Sequence, residues 1–372
     1  MSFFSSFFGY INFRKIIKES KNKVIIFYSE SKNYRNYFGD LIKETSLNKD
    51  FTVIYLTSDK DDIHKVSDFI KPIFIGSNFF RILLFTFLEC DLLIMTLTDL
   101  GNHVIKKSKK CKNYLYIFHS LVSTHKSYSY EAFKNYDIIL TNGEYQKKEL
   151  EFAEDKFSFP KKKLFNTGYI YFDKLMKNKK DVSISKKILF APSWNKLKEN
   201  LFDDYTEVIV KDLIKKDYHV VLRTHPESLK RSKSVIKSLN KLNKITEKFE
   251  INSDLTRLDI LNESSVLITD NGGMGMEYII VQKKPVIFIN YKDKIHNYNF
   301  QKFKDEPIEN KFKKEFGVEI DVKDLKNLDI KIKEAIINFK NKKENIDLFV
   351  KDSGIITQNQ IQNAKSIITK IL

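Results

Sequence analysis

Two cysteines in 372 residues are too few for a secreted disulfide framework, and Cys90 and Cys111 have no metal-like spacing. The expected compartment is therefore a reducing one. Proline and glycine are scarce, at 6 and 11 residues, and form no long tract, so the chain reads as globular. No stretch approaches 18 uninterrupted apolar residues, which excludes a bilayer-spanning helix. Residues 1–18 lack the basic leader and cleavage site of a signal peptide. There is no internal repeat, no dinucleotide fingerprint, no Gly-Lys-Ser or Gly-Lys-Thr of a nucleoside triphosphatase, and no Asp-x-Asp metal motif. Acidic residues are also in deficit. Against 65 Lys and Arg stand 48 Asp and Glu, a net charge of +17. Such a surface attracts polyanions, acidic lipid headgroups or phosphorylated substrates. The basic residues are scattered through predicted helices without a recognised module, which argues against nucleic acid.

What is present is an α/β pattern, 42% hydrophobic and long enough for two domains. Near-continuous apolar runs at 23–28, 51–56, 72–75, 92–95, 114–118 and 137–140 predict strands of a parallel sheet covered on both faces. Helical stretches alternate with them, notably 79–89 and 143–154. A lysine-rich linker, 174–187, separates a second series at 187–192, 218–223, 265–268 and 284–289, with a further edge element at 316–320. The fold expected is two Rossmann-like, doubly wound domains facing a cleft, over residues 21–178 and 186–345, with ligands beyond the carboxyl ends of the strands. Residues 346–372 end in a helix that could cross back to the first domain. Residues 1–20 carry aromatics every three or four positions, followed by basic residues. That segment could lie on an anionic membrane or pack on its own domain.

Four strand ends carry residues suited to chemistry. The turn Thr269-Asp270-Asn271-Gly272-Gly273-Met274-Gly275-Met276-Glu277 joins a strand to a helix. Its glycines let a ligand approach the backbone, and the helix start offers N–H groups to a pyrophosphate. Asp270 could equally be a plain helix cap. Glu277, one turn on, is placed to accept from a ribose. In Leu222-Arg223-Thr224-His225-Pro226, Pro226 keeps His225 extended at the strand end, and Arg223 could grip phosphate oxygens. Ser193, Trp194 and Asn195 follow another strand, as candidate phosphate donors around the single tryptophan. In the first half, His119 ends the strand 114–118, and an imidazole there can take a proton from a hydroxyl. Ser120, His125 and Lys126 on the same loop, with Asp99 and His103 after the strand at 92, are the candidate acceptor-side residues.

The segments Phe118-His119-Ser120, Phe190-Ala191-Pro192-Ser193-Trp194, Arg223-Thr224-His225-Pro226 and Thr269-Asp270-Asn271-Gly272 occur in the order and spacing of the CDP-glycerol glycerophosphotransferases. The chain resembles that family over about residues 90–340. The resemblance implies a glycosyltransferase-B-like architecture and transfer of glycerol phosphate, or a related polyol phosphate, from a CDP-polyol donor. The acceptor would be a hydroxyl of a cell-surface glycan or lipid-linked chain, with CMP released. It also implies His119 as base, His225 and Asp270 at the donor, no required cofactor, and a peripheral position on the inner face of the cell membrane. Two departures stand out: Ser120 replaces the family's usual glycine, and Asn271-Gly272-Gly273 replaces Tyr-Ser-Ser. The alternatives are a glycosyltransferase with a nucleotide-sugar donor, in which Glu277 holds the ribose, and a non-catalytic polyanion-binding protein.

Overall fold

The structure, a computed structural model, describes residues 2–62, 70–77, 79–182, 185–195, 199–292 and 294–372. Two compact units emerge. The first comprises residues 2–119, Tyr128–Lys174 and Ser353–Leu372; the second comprises Ser120–Ser127 and Leu175–Asp352. Each is built on a parallel sheet, which meets the α/β expectation.

In the first unit the strands are β1 (Lys23–Ser29), β2 (Phe51–Thr57), β3 (Ile73–Phe74), β4 (Cys90–Met95), β5 (Cys111–Ile117), β6 (Ile138–Thr141) and β7 (Lys163–Asn166). They lie in the order β3-β2-β1-β4-β5-β6-β7. Side chains alternate between faces along a strand, and here both faces are apolar. Val24, Ile26, Tyr28, Leu93, Tyr114 and Tyr116 face one core with Phe13, Leu84 and Phe85. Ile25, Phe27, Leu92, Ile94, Leu115 and Ile117 face the other, with Phe38, Leu41, Ile361, Ala364 and Ile368. The last three belong to the helix Gln360–Ile371, so the end of the chain completes the first unit.

The helix Ser2–Glu19 packs on this unit by one side. Phe13 is buried in the core, and Gly9 lies so close to β3 that a Cβ there would sit 1.9 Å from the Phe74 carbonyl oxygen. Phe3, Phe7 and Tyr10 meet the ring of Phe80 on the helix Phe79–Phe87.

The second unit holds β8 (Lys187–Phe190), β9 (His219–Arg223), β10 (Phe249–Asn252), β11 (Val266–Thr269), β12 (Val286–Asn290) and β13 (Val318–Asp321), ordered β10-β9-β8-β11-β12-β13. Ile188, Phe190, Val220, Leu222, Val266, Ile268, Ile287 and Ile289 form one apolar face. The helix Leu201–Lys215 begins at 201 because the Asn200 side chain accepts from the Asp203 N–H at 3.0 Å and caps it. The sheet order reverses between β8 and β11, which is the point where doubly wound sheets open a crevice for ligands.

Candidate functional site

The loops leaving β8 and β11 flank that reversal and are locked together. Asp270 accepts from the Ser193 N–H at 2.8 Å through one carboxylate oxygen and from the Ser193 hydroxyl at 2.9 Å through the other. Below them Thr269 donates its hydroxyl to the Ala191 carbonyl at 2.7 Å. Asp270 is thus engaged in holding two strand-end loops, and it presents the glycine turn in a fixed position. Lys294, on the loop after β12, is intermediate in exposure overall but desolvated around its ammonium. Burial holds that ammonium below the usual lysine range, with the charges of Asp270 and Glu309 acting the other way.

The glycines of the turn divide by cause. A Cβ on Gly275 would meet the Phe288 ring at 2.6 Å, so this glycine seats the helix against β12. A Cβ on Gly272 would approach Ser193 Cβ at 3.2 Å, and one on Gly273 would meet the Ser120 hydroxyl at 2.5 Å. Asn271 accepts from Lys313 Nζ at 3.3 Å. Glu277 ends the helix Gly273–Glu277, which continues as a π-helical turn over Tyr278–Gln282.

His225 caps the helix Pro226–Arg231. Its Nδ1 accepts from the Glu227 N–H at 3.1 Å, so a neutral imidazole carries its proton on Nε2. The ring stacks on Trp194, with centroids 6.2 Å apart and planes at 20°. Arg231 lies over the other part of this cluster, 5.6 Å from the indole centroid, and His296 meets the indole edge-on at 6.4 Å. Glu227 binds Lys230 and Arg231; the hydrogen bond from Lys230 leads in holding its carboxyl below the usual range. Trp194, His225 and Arg231 thereby form one aromatic and cationic surface beside the Ser193–Asp270 clamp.

Several expected site residues are buried, and some of them are hydrogen-bonded within the second unit. Arg223 is buried, and its guanidinium donates to the carbonyls of Leu255 at 2.9 Å and Arg257 at 3.2 Å. It anchors the loop after β10. Thr224 is buried and donates to the Asn252 carbonyl at 3.2 Å. Asn195 is also buried. His125 and Lys126, the acceptor-side candidates of the loop after β5, are buried within the second unit. His125 lies against Phe303, centroids 5.0 Å apart, and its carbonyl accepts from Asn297 Nδ2 at 2.8 Å. The Lys126 carbonyl accepts from the N–H groups of His296 and Asn297. Nearby, the Ser123 N–H donates to Glu309 at 2.9 Å. These ties to residues 296–309 draw 120–127 out of the first unit, where the sequence order had assigned them.

In the first unit His119 stands after β5 among tyrosines. Its ring meets Tyr34 at 5.5 Å, Tyr37 at 5.8 Å and Tyr128 at 6.3 Å, and its carbonyl accepts from the Tyr169 hydroxyl at 3.1 Å. Asp99 and His103 are exposed on the turn after β4, which is closed by Gly101 N–H to the Ile105 carbonyl. No sequence motif marks Tyr34, Tyr37, Tyr128, His296 or Lys294. The available signal was position, since Tyr34 and Tyr37 follow β1, and Lys294 and His296 follow β12. Among the described residues, no group of three or more His, Cys, Asp or Glu is placed to hold a metal ion.

The profile of the CDP-Glycerol:Poly(glycerophosphate) glycerophosphotransferase family matches residues 10–310. No curated protein matches the chain. Among solved structures it is similar to the Wall Teichoic Acid Polymerase TagF, with a TM-score of 0.59 at 18% identity over 99% of this chain and 97% of that one. It is also similar to the UDP-GlcNAc 2-epimerase of Neisseria meningitidis, with a TM-score of 0.58 at 13% identity over 94% and 98% of the two chains. The Methanocaldococcus jannaschii UDP-GlcNAc 2-epimerase gives 0.57 at 14% identity, over 94% and 99%. At such identities these structures share the glycosyltransferase-B-like fold. The family match is of a different order, since it spans all four strand-end motifs, and on it the chain belongs to the CDP-glycerol:poly(glycerophosphate) glycerophosphotransferase family and is a transferase of that kind.

Proposed function

We propose that the chain transfers glycerol phosphate from CDP-glycerol to a hydroxyl of a poly(glycerophosphate) or lipid-linked glycan acceptor, in synthesis of a teichoic-acid-type polymer, and releases CMP. The observation that carries this reading is the family match across residues 10–310, within which His119, the Ser193–Asp270 clamp and the His225–Trp194 stack all fall. The acceptor hydroxyl gives its proton to His119 while its oxygen bonds to the β-phosphorus. The bond from that phosphorus to the bridging oxygen breaks, and CMP departs with the bonding electrons. His225, whose tautomer is set by the Glu227 N–H, donates from Nε2 to the phosphate oxygens as charge grows on the leaving group. The backbone turn at Gly272 and Gly273, packed against Ser193 and Ser120, receives the diphosphate. Trp194 lines the site and Glu277 accepts from the ribose. Phosphoryl transfer asks mainly for such positioning and charge stabilisation. No step here calls for a cofactor.

CMP release and polymer formation from CDP-glycerol, with UDP-GlcNAc as the competing donor, test the assignment. Replacing either His119 or His225 with alanine is expected to lower turnover by about 10²–10⁴-fold. Wild-type turnover of UDP-GlcNAc in preference to CDP-glycerol would favour sugar transfer, for which the epimerase-like fold and Glu277 provide. Full activity of the doubly substituted protein would reject the roles given to the histidines.

The same enzyme works, in this proposal, at an anionic membrane surface. No helix among the described residues is long and apolar enough to cross a membrane. Yet Phe4 is 66% and Phe8 65% exposed on the helix Ser2–Glu19, and Phe79 is 60% and Phe87 53% exposed on the helix packed beside it. Arg14, Lys15 and Lys18 continue the first helix. Aromatics with adjoining cations suit an interfacial position among acidic headgroups.

A further inference from the structure

The helix Lys233–Ile245 starts directly after the helix that His225 caps, with Ser232 between them. Its sequence, KSVIKSLNKLNKI, contains no Asp or Glu. Val235, Ile236, Leu239 and Leu242 pack on the core of the second unit. Lys233, Lys237, Lys241 and Lys244 are exposed. At spacings of four, four and three residues they fall on one side of the helix, in steps of about 4.5–6 Å along its axis. With Leu229 and Ile236 they line an open groove of about 460 Å³ whose lining includes no carboxylate and no aromatic ring.

Several other lysines of the unit, by contrast, have carboxylate partners. Lys186 and Lys248 pair with Asp217, Lys211 with Glu207, Lys230 with Glu227 and Lys314 with Glu306. The four groove lysines make no ion pair among the described residues. Like charges one turn apart weaken a helix, so a ligand carrying regularly spaced negative charge is favoured here by relief of that repulsion. A lone phosphate would meet one or two of the lysines. A polyol-phosphate chain brings one charge per short repeat, matched in scale to the lysine steps, and its carbon backbone can lie on Leu229 and Ile236. Single-stranded nucleic acid, which gains much of its affinity from stacking on aromatic side chains, finds none in this groove.

We propose that the groove along Lys233, Lys237, Lys241 and Lys244 is a second binding site for the poly(glycerol phosphate) chain, holding the polymer away from its reacting end; this rests on the reading of the acceptor as a polyol-phosphate polymer. Retention at the groove keeps the chain on the enzyme between additions and lengthens the product.

The test uses the full chain and a fluorescent glycerol-phosphate octamer, with an octamer of thymidylate and inorganic phosphate as comparison ligands. Changing all four residues, Lys233→Gln, Lys237→Gln, Lys241→Gln and Lys244→Gln, should weaken octamer binding by ~10-fold or more and reduce the log–log salt slope by about three. Polymer products should shorten, while CMP release with a single-unit acceptor is unchanged. The corresponding four Lys→Arg changes should restore both binding and product length, which separates loss of charge from damage to the helix. Unchanged octamer binding in the Gln variant overturns the proposal. So does thymidylate binding that equals octamer binding and falls equally on substitution, because the groove would then be a general polyanion surface. If the wild type transfers nothing from CDP-glycerol, the proposed reaction fails, whereas octamer binding that depends on the four lysines would still report the groove.

Discussion

At the scale of single residues, the site separates groups that build it from groups that act in it, and His225 belongs to both. Its Nδ1 caps a helix and its Nε2 carries the proton assigned to the reaction. Asparagine can keep the cap through its side-chain oxygen but has no imidazole proton to give. His225→Asn should therefore hold thermal stability within about 0.5 kcal/mol of wild type, whereas His225→Ala should lose about 1 kcal/mol. Both should lose turnover by roughly 10²-fold or more. Equal activity of the Asn variant and the wild type would limit His225 to capping. A second residue-scale prediction concerns Gly273, where a Cβ would meet the Ser120 hydroxyl at 2.5 Å. Gly273→Ala must push that hydroxyl aside, so it should raise the KM for CDP-glycerol, and Ser120→Gly in the same chain should recover much of the loss. A coupling of roughly 0.5–3 kcal/mol is the range for side chains in direct contact; additive effects on donor KM would show that the two positions act independently.

At the scale of elements, the helix Ser2–Glu19 is neither a detached membrane anchor nor a fully packed helix. Phe13 is 1% exposed and belongs to the core of the first unit. Removing the whole segment would damage the fold as well as any lipid contact, so the informative variants are selective. Phe4→Ser with Phe8→Ser should weaken binding to anionic vesicles and leave the melting temperature nearly unchanged. Phe13→Ala should cost about 3–5 kcal/mol of stability. Vesicle binding unaffected by the surface pair would remove the membrane from the proposal. The central strands β1, β2, β4, β5, β8, β9, β11 and β12 were legible in the sequence, because burial on both faces leaves long apolar runs. Strands β7 and β10, Lys-Leu-Phe-Asn and Phe-Glu-Ile-Asn, were not. Both are edge strands of four residues, where polar side chains interrupt the pattern. The strand-end histidines and the glycine turn could be read for a related reason, since a strand followed by a polar residue marks its own carboxyl end. The burial of His125 and Arg223 could not be read, because it depends on Phe303 and on the carbonyls of Leu255 and Arg257, which are distant in the chain.

At the scale of the whole molecule, the chain's path departs from the order of its sequence. Residues 120–127 leave the first unit for the second, and Ser353–Leu372 return to the first after the second is complete. The restart of the strand pattern after 187 revealed two sheets, but no local pattern could assign these crossings. The return has an energetic consequence that can be measured. Ile361, Ala364 and Ile368 are at most 4% exposed and share a core with Ile25 of β1, Ile94 of β4 and Leu115 of β5. A cavity at position 368 therefore weakens strands laid down more than two hundred residues earlier in the chain. Ile368→Ala should cost about 2–5 kcal/mol, and its effect should be local in space and remote in sequence. Amide hydrogen exchange read by mass spectrometry resolves it: peptides over β1, β4 and β5 should exchange faster in the variant, while those over β8, β9 and β11 keep their protection, as expected when separate cooperative units open independently. Equal acceleration in all six strands would mean that the two sheets open as a single unit. Unchanged protection of β1, β4 and β5 would mean that the last helix contributes little to the core in which it is buried.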